Sequence, residues 1–132
     1  MKKKSLRQKR IDDEYCRAHK MWLNKADKLW SQMVRDRAKG RCEWCGEFKS
    51  LVAHHIIRRS IKPSRHKLEN GVALCVGCHC HRVGAPHGSK DSWRFVEWIQ
   101  NEKPMTWAWV QEHKHDSWRV NYREAYESLT GD

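Results

Sequence analysis

The sequence predicts a single α+β domain, mostly helical, over residues 1–132, and three observations carry that expectation. Apolar residues recur at intervals of three and four from Ile11 to Met33, as on one long amphipathic helix. Two short apolar runs, Leu51-Val52-Ala53-His54-His55 and Gly71-Val72-Ala73-Leu74, read as strands separated by a loop. Two C-x-x-C pairs, Cys42/Cys45 and Cys75/Cys78, bracket those runs. Thiolates two residues apart can reach one soft cation, so a Zn²⁺ shared by both pairs forms a closed Cys₄ site that pins the start of this segment to its end. A chain of this size buries only a modest core, and a structural metal helps to hold it.

Residues 1–11 form a basic arm, with six Lys and Arg between positions 2 and 10. It reads equally as a flexible arm on phosphates or as a solvated tail. The long helix follows over 12–40. Asp12, Asp13 and Glu14 suit its positive end and Gly40 its stop. Ile11, Tyr15, Ala18, Trp22, Ala26, Leu29 and Met33 make the apolar stripe, with Trp22 and Trp30 read as core; Arg17, Lys20, Lys28, Arg35 and Arg37 lie on the solvated face. The central unit occupies 41–88: knuckle, strand, a basic loop over 56–69 that contains Pro63, second strand, and a helix opening at Cys75. Gly84-Ala85-Pro86-His87-Gly88 breaks the chain. Residues 89–132 form a helical extension, core or partner surface. Its first helix, Ser89 to Gln100, turns Trp93, Val96 and Ile99 inward; 105–115 reads as strand or helix; Ser117 to Leu129 buries Trp118, Tyr122, Ala125 and Leu129.

The formal charge of +11 and a pI near 9.6 point to a polyanionic partner. Residues 1–41 carry fourteen Lys and Arg against five Asp and Glu, 42–82 seven against three, and 83–132 six against eight. The first two thirds should therefore face the polyanion and the tail should not. The C-x-x-C pairing and a Lys-rich start without an apolar leader favour metal-bound thiolates in a reducing cytoplasm over disulfides. Cys16 and Cys80 then read as buried free thiols. No apolar run is long enough to span a membrane.

Cys75-Val76-Gly77-Cys78-His79 also matches a haem-attachment pattern, but that chemistry needs export and leaves Cys42 and Cys45 unexplained. A zinc deaminase is excluded, because neither H-x-E nor C-x-E precedes a P-C-x-x-C. Three histidines beside the thiolates, His54, His55 and His79, are not needed for a Cys₄ shell. On a strand His54 and His55 face opposite sides, so one can bind a metal while the other meets a water; alternatively both are structural, as extra zinc ligands.

Cysteine pair, His54-His55, Asn70, cysteine pair and His79, with eight residues between Asn70 and His79, resembles the HNH endonucleases, in particular the small phage type with a zinc-knuckle scaffold. The likeness covers about a third of the chain. It implies a ββα-metal core, with His54 and His79 holding a catalytic divalent metal (Mg²⁺, Mn²⁺, Ni²⁺ or Zn²⁺), His55 as general base, and Asn70 tying the loop to the base's strand. An Asn before a Gly also simply makes a turn. Where some members have a further histidine, this chain has Val83; His87, His81 or water is then the third ligand, with His87 the choice made here. Arg58, Arg59, Arg65 and Lys62 form a phosphate clamp or a solvated loop. The resemblance further implies DNA as substrate, a 5′-phosphate product, phage origin in a bacterial cytoplasm, and work beside phage DNA-packaging (terminase) proteins. The competing expectation is a zinc-stabilised module that binds DNA or a protein without cleaving.

Overall fold

A computed structural model describes residues 2–88 and 90–131. Met1, Ser89 and Asp132, which bound the expected arm and the C-terminal extension, lie outside the described residues. Four α-helices surround a two-stranded antiparallel sheet: α1 (Leu6–Arg37), β1 (Leu51–His55), β2 (Gly71–Cys75), α2 (Trp93–Glu102), α3 (Pro104–His113) and α4 (Tyr122–Thr130). No described helix is long and apolar enough to cross a membrane.

The helix α1 starts six residues before the expected position. Ser5 caps it by accepting the Gln8 N–H at 3.1 Å. The Lys- and Arg-rich residues after it are good helix formers, so the expected arm is helical from Leu6. Asp12, read as part of the helix start, sits in the second turn and accepts from Lys4 and Gln8 instead. The buried stripe is Ala26, Trp30 and Val34. Ile11 and Tyr15, expected in the apolar stripe, are exposed, because no described element packs across the first turns. Cys16, expected to be buried, is exposed with them.

Strand register pairs Leu51 with Cys75, His54 with Val72 and His55 with Gly71. The sheet's two faces meet two cores. On one side Trp30, Val34, Ala73 and Leu129 join α1, β2 and α4. On the other, Val72, Leu74 and three of the knuckle cysteines pack against Phe95 and Ile99 of α2. Gly71 lets α1 come close: a Cβ there would collide with the Val34 methyls and lie 2.9 Å from the Trp30 ring. Arg37, expected in solvent, donates to the carbonyls of Leu68 and Gly71 at 3.0 and 2.7 Å and fastens the end of α1 to the start of β2.

Where a helix was expected from Cys75, the chain makes one wide π turn, Gly77–His81, followed by turns through residue 88. Cys75 Sγ accepts the Cys78 N–H at 3.4 Å, and the tight knuckle competes with regular helix. On α2 the inward residues are Phe95 and Ile99; Trp93 and Val96, expected inside, are 57% and 38% exposed. Residues 104–113 are helical, opened by Pro104 in the first turn, where its missing N–H costs nothing. The last helix begins at Tyr122 because Asn121 caps it, accepting from the Glu124 N–H; Trp118 lies before it and is exposed.

Candidate metal centre and groove

Among the described residues, two ligand clusters flank the sheet. In the first, Cys42 and Cys45 come from the turn after α1, and Cys75 and Cys78 from the end of β2 and the π turn. Their four sulfurs lie within 4.8 Å of one another. A tetrahedron with Zn–S bonds of about 2.3 Å has S···S edges of about 3.8 Å, and Cys45 Sγ and Cys75 Sγ are 3.9 Å apart. Burial would raise the Cys42 thiol, but backbone N–H groups around Cys45, Cys75 and Trp44 hold it down to about 7. Burial pushes Cys78 up to about 12, with the Cys75 and Cys42 sulfurs adding to the effect against Arg82. Four sulfurs this close carry their charge together only when a cation shares the space. The donor set therefore suits structural zinc. Around it, Arg82 stacks on Trp44 with its guanidinium carbon 4.0 Å from the ring centre. Glu43 accepts the Ala73 N–H at 2.6 Å and pairs with Lys103 at 2.8 Å, tying the knuckle to β2 and to the α2–α3 corner.

The second cluster is His54, His79 and His87, whose ring nitrogens also lie within 4.8 Å of one another. His54 Nδ1 is 3.2 Å from His79 Nε2; two imidazoles on one tetrahedral ion at about 2.0–2.1 Å sit about 3.3 Å apart. β1 delivers His54, the π turn delivers His79, and the His87 N–H donates to the His79 carbonyl at 3.1 Å, which seats the third ring. Gly88 permits that return, since its φ is +80° and a Cβ there would approach the Cys80 carbonyl to 2.6 Å. Burial, then the neighbouring His79, His87 and His55, hold His54 down at about 3. Burial and His87 lower His79 as well. Neutral imidazoles are the form that binds a cation, so the three residues could hold a metal ion. His81 is exposed and outside this cluster.

His55 points to the other face of β1, as strand alternation requires. Its ring stacks on Trp30, with centroids 3.9 Å apart and planes 10° from parallel. Nε2 is 2.9 Å from the Arg65 carbonyl, which can only accept, so Nε2 carries the hydrogen and Nδ1 keeps its lone pair. Burial is the main cause that lowers His55 to about 4, against the Arg65 carbonyl bond, which raises it. Asn70 is fully buried: it accepts the Ile57 N–H at 2.6 Å and donates to the Ile57 and Ser64 carbonyls at 3.0 and 3.2 Å. It thus stitches the loop to the end of β1.

A groove of about 1110 Å³ runs past His54, His55, His79 and His87, and Arg58 and Arg59 lie along it. Lys62 lines a different cavity, of about 390 Å³, against α4. Arg65 is turned inward: Nε and Nη2 grip both carboxylate oxygens of Asp27 at 2.9 and 2.7 Å. Asp27 also binds His66 Nε2 at 2.7 Å. Burial opposes the charge on Asp27, but His66 and Arg65 outweigh it and bring the carboxyl to about 2. Trp30 Nε1 donates to the Lys67 carbonyl at 2.8 Å. Residues 65–67, and with them the carbonyl that orients His55, are therefore held from α1. Sequence reasoning missed Asp27, His66 and Glu43. The available signal for Asp27 was an acidic residue inside the buried stripe, between Ala26 and Trp30.

No protein-family model matches the chain, and no curated protein or solved structure matches it.

Proposed function

We propose that the protein is a metal-dependent endonuclease of the HNH type that hydrolyses DNA phosphodiester bonds. One observation carries the reading: consecutive residues of β1 supply His54 to a three-imidazole cluster and His55, with an unprotonated Nδ1, to the same groove. His54, His79 and His87 would hold the ion. When bound, it supplies Lewis-acid stabilisation of phosphate charge.

The chain's own part is positional. His55 Nδ1 takes a proton from a water in the groove, and the imidazolium that forms keeps its Nε2–H on the Arg65 carbonyl. The resulting hydroxide attacks phosphorus in line; the P–O3′ bond breaks, the 3′ oxygen leaves and takes a proton from solvent water, and the phosphate stays on the 5′ side. Asn70 keeps the loop and β1 in register while this happens. Arg58 and Arg59, both exposed, are placed to meet phosphates. In this reading the Cys₄ cluster braces and takes no chemical part. Phage origin, a cytoplasmic site of action and work beside terminase proteins belong to the same reading and rest on the motif likeness alone.

Plasmid nicking with added divalent metal tests it. Expected is relaxation of supercoiled DNA that chelator abolishes and that His55→Ala reduces by at least ~100-fold. Equal cleavage by wild type and His55→Ala would defeat the assignment. Salt-sensitive DNA binding with no cleavage under any divalent metal would leave a non-catalytic zinc module.

A further inference from the structure

The geometry points to an unpaired nucleic-acid strand as the preferred substrate, held in a groove that the loop after β1 and the C-terminal helices line together. This deepens the nuclease reading and rests on it. Arg58 and Arg59 line this groove. So does the end of α3, where Lys114 Nζ bonds Gln111 Oε1 at 2.6 Å. Charge balance along the sequence assigns polyanion contacts to the first two thirds; folding brings a lysine of the acidic last third into the same groove as the loop arginines. Lys114 also follows the last residue of α3, where a cation is favoured by the helix dipole.

Part of the groove's lining is carbon, an apolar floor: Val96 is 38% exposed, and the part-buried Ile61 and Trp107 line the same groove. A duplex hides its base faces in its own stack and offers such a floor only sugar and phosphate. An unpaired strand offers phosphates to the cations and base faces to the floor. Size agrees: about 1110 Å³ is just above the ~300–1,000 Å³ that enclose small ligands, the scale of a few nucleotides rather than of a double helix.

The test uses full-length, zinc-loaded protein without added catalytic metal, and a labelled strand of about 12 nucleotides, within the range single-strand binders cover. Its affinity is compared with that of the same sequence as a blunt duplex across a salt series. Expected is single-strand binding tighter by roughly 10-fold or more. Lys114→Ala should reduce the magnitude of the single-strand salt slope by about 0.7, the value of one phosphate contact. Val96→Gln should weaken strand binding roughly 5-fold and leave the slope unchanged, because it removes apolar floor and no charge. Both positions are solvent-accessible, and unchanged circular dichroism confirms folding. Equal affinity for strand and duplex, or two variants that bind like wild type, overturns the inference. Cleavage of the same oligonucleotides with divalent metal separates the two claims. Strand preference without any cleavage sinks the nuclease reading alone, and cleavage of duplex with equal affinity sinks this one alone.

Discussion

Asp27→Asn isolates what α1 contributes to the site. The carboxylate makes three short bonds, two to Arg65 and one to His66, at 2.9, 2.7 and 2.7 Å. Asparagine keeps the size but offers one acceptor oxygen and an NH₂ that faces donors. Hydrogen bonds to charged groups contribute about 1.5–3 kcal/mol each and are not additive when they share an atom. The Asp27 side chain is 34% exposed, so solvent screening discounts the sum; the expected loss is about 2–3 kcal/mol, read as a lower urea midpoint at unchanged slope. The pH dependence has a definite sign. Folding lowers the Asp27 pKa to about 2, so the folded state holds that proton less tightly than the unfolded one. The stabilisation is fully present above the unfolded value of about 3.9 and is lost as pH falls through the folded value. The gap between wild type and Asp27→Asn should therefore close as pH falls from the unfolded value through the folded one. ¹⁵N chemical shifts of the His55 ring give the second readout, with a protonated Nε2 and a bare Nδ1 in wild type and a mixture of tautomers in the variant. A loss under about 0.5 kcal/mol together with an unchanged tautomer would refute the view that α1 orients His55 through residues 65–67.

Three further outcomes follow from the same geometry. Stripping zinc with a strong chelator should release about one ion per chain and unfold the segment from Cys42 to Cys78 cooperatively, and Cys78→Ser should reproduce this at lower chelator concentration; metal analysis and circular dichroism check it. Asn70→Asp, nearly isosteric, should destabilise by about 2–4 kcal/mol, because a carboxylate cannot donate to the Ile57 and Ser64 carbonyls that Asn70 serves in a site without solvent; urea unfolding measures it. Gly71→Ala should cost about 1–3 kcal/mol through overpacking against Val34 and Trp30, seen as a lower Tm, and a Val34→Ala partner change should recover part of it.

Much of this arrangement was legible in local pattern. Both strands fall at the expected residues, and the two C-x-x-C pairs converge as their spacing requires. Strand alternation alone placed His54 and His55 on opposite faces, and the structure keeps them there. Helix limits were less legible. A Ser5 cap outweighs the acidic triplet as a start signal, and Asn121 does the same for α4. The inward face of α2 was misread because Trp93 and Val96 are as apolar as the residues that do pack. Apolar character marks candidates for burial, whereas neighbours choose among them.

What the sequence by itself determined, then, is the chemistry held within short reach: thiolates two apart, imidazoles on adjacent strand residues, an asparagine just before a strand. These depend on backbone geometry that repeats over a few residues. Only the tertiary structure decided which distant groups complete them. Asp27 turns Arg65 away from the groove, Trp30 takes the face of His55, and the end of α3 brings Lys114 to the groove. The physical reason is that such partners lie tens of residues apart and are chosen by how helices pack on the sheet, which no periodicity along the chain encodes.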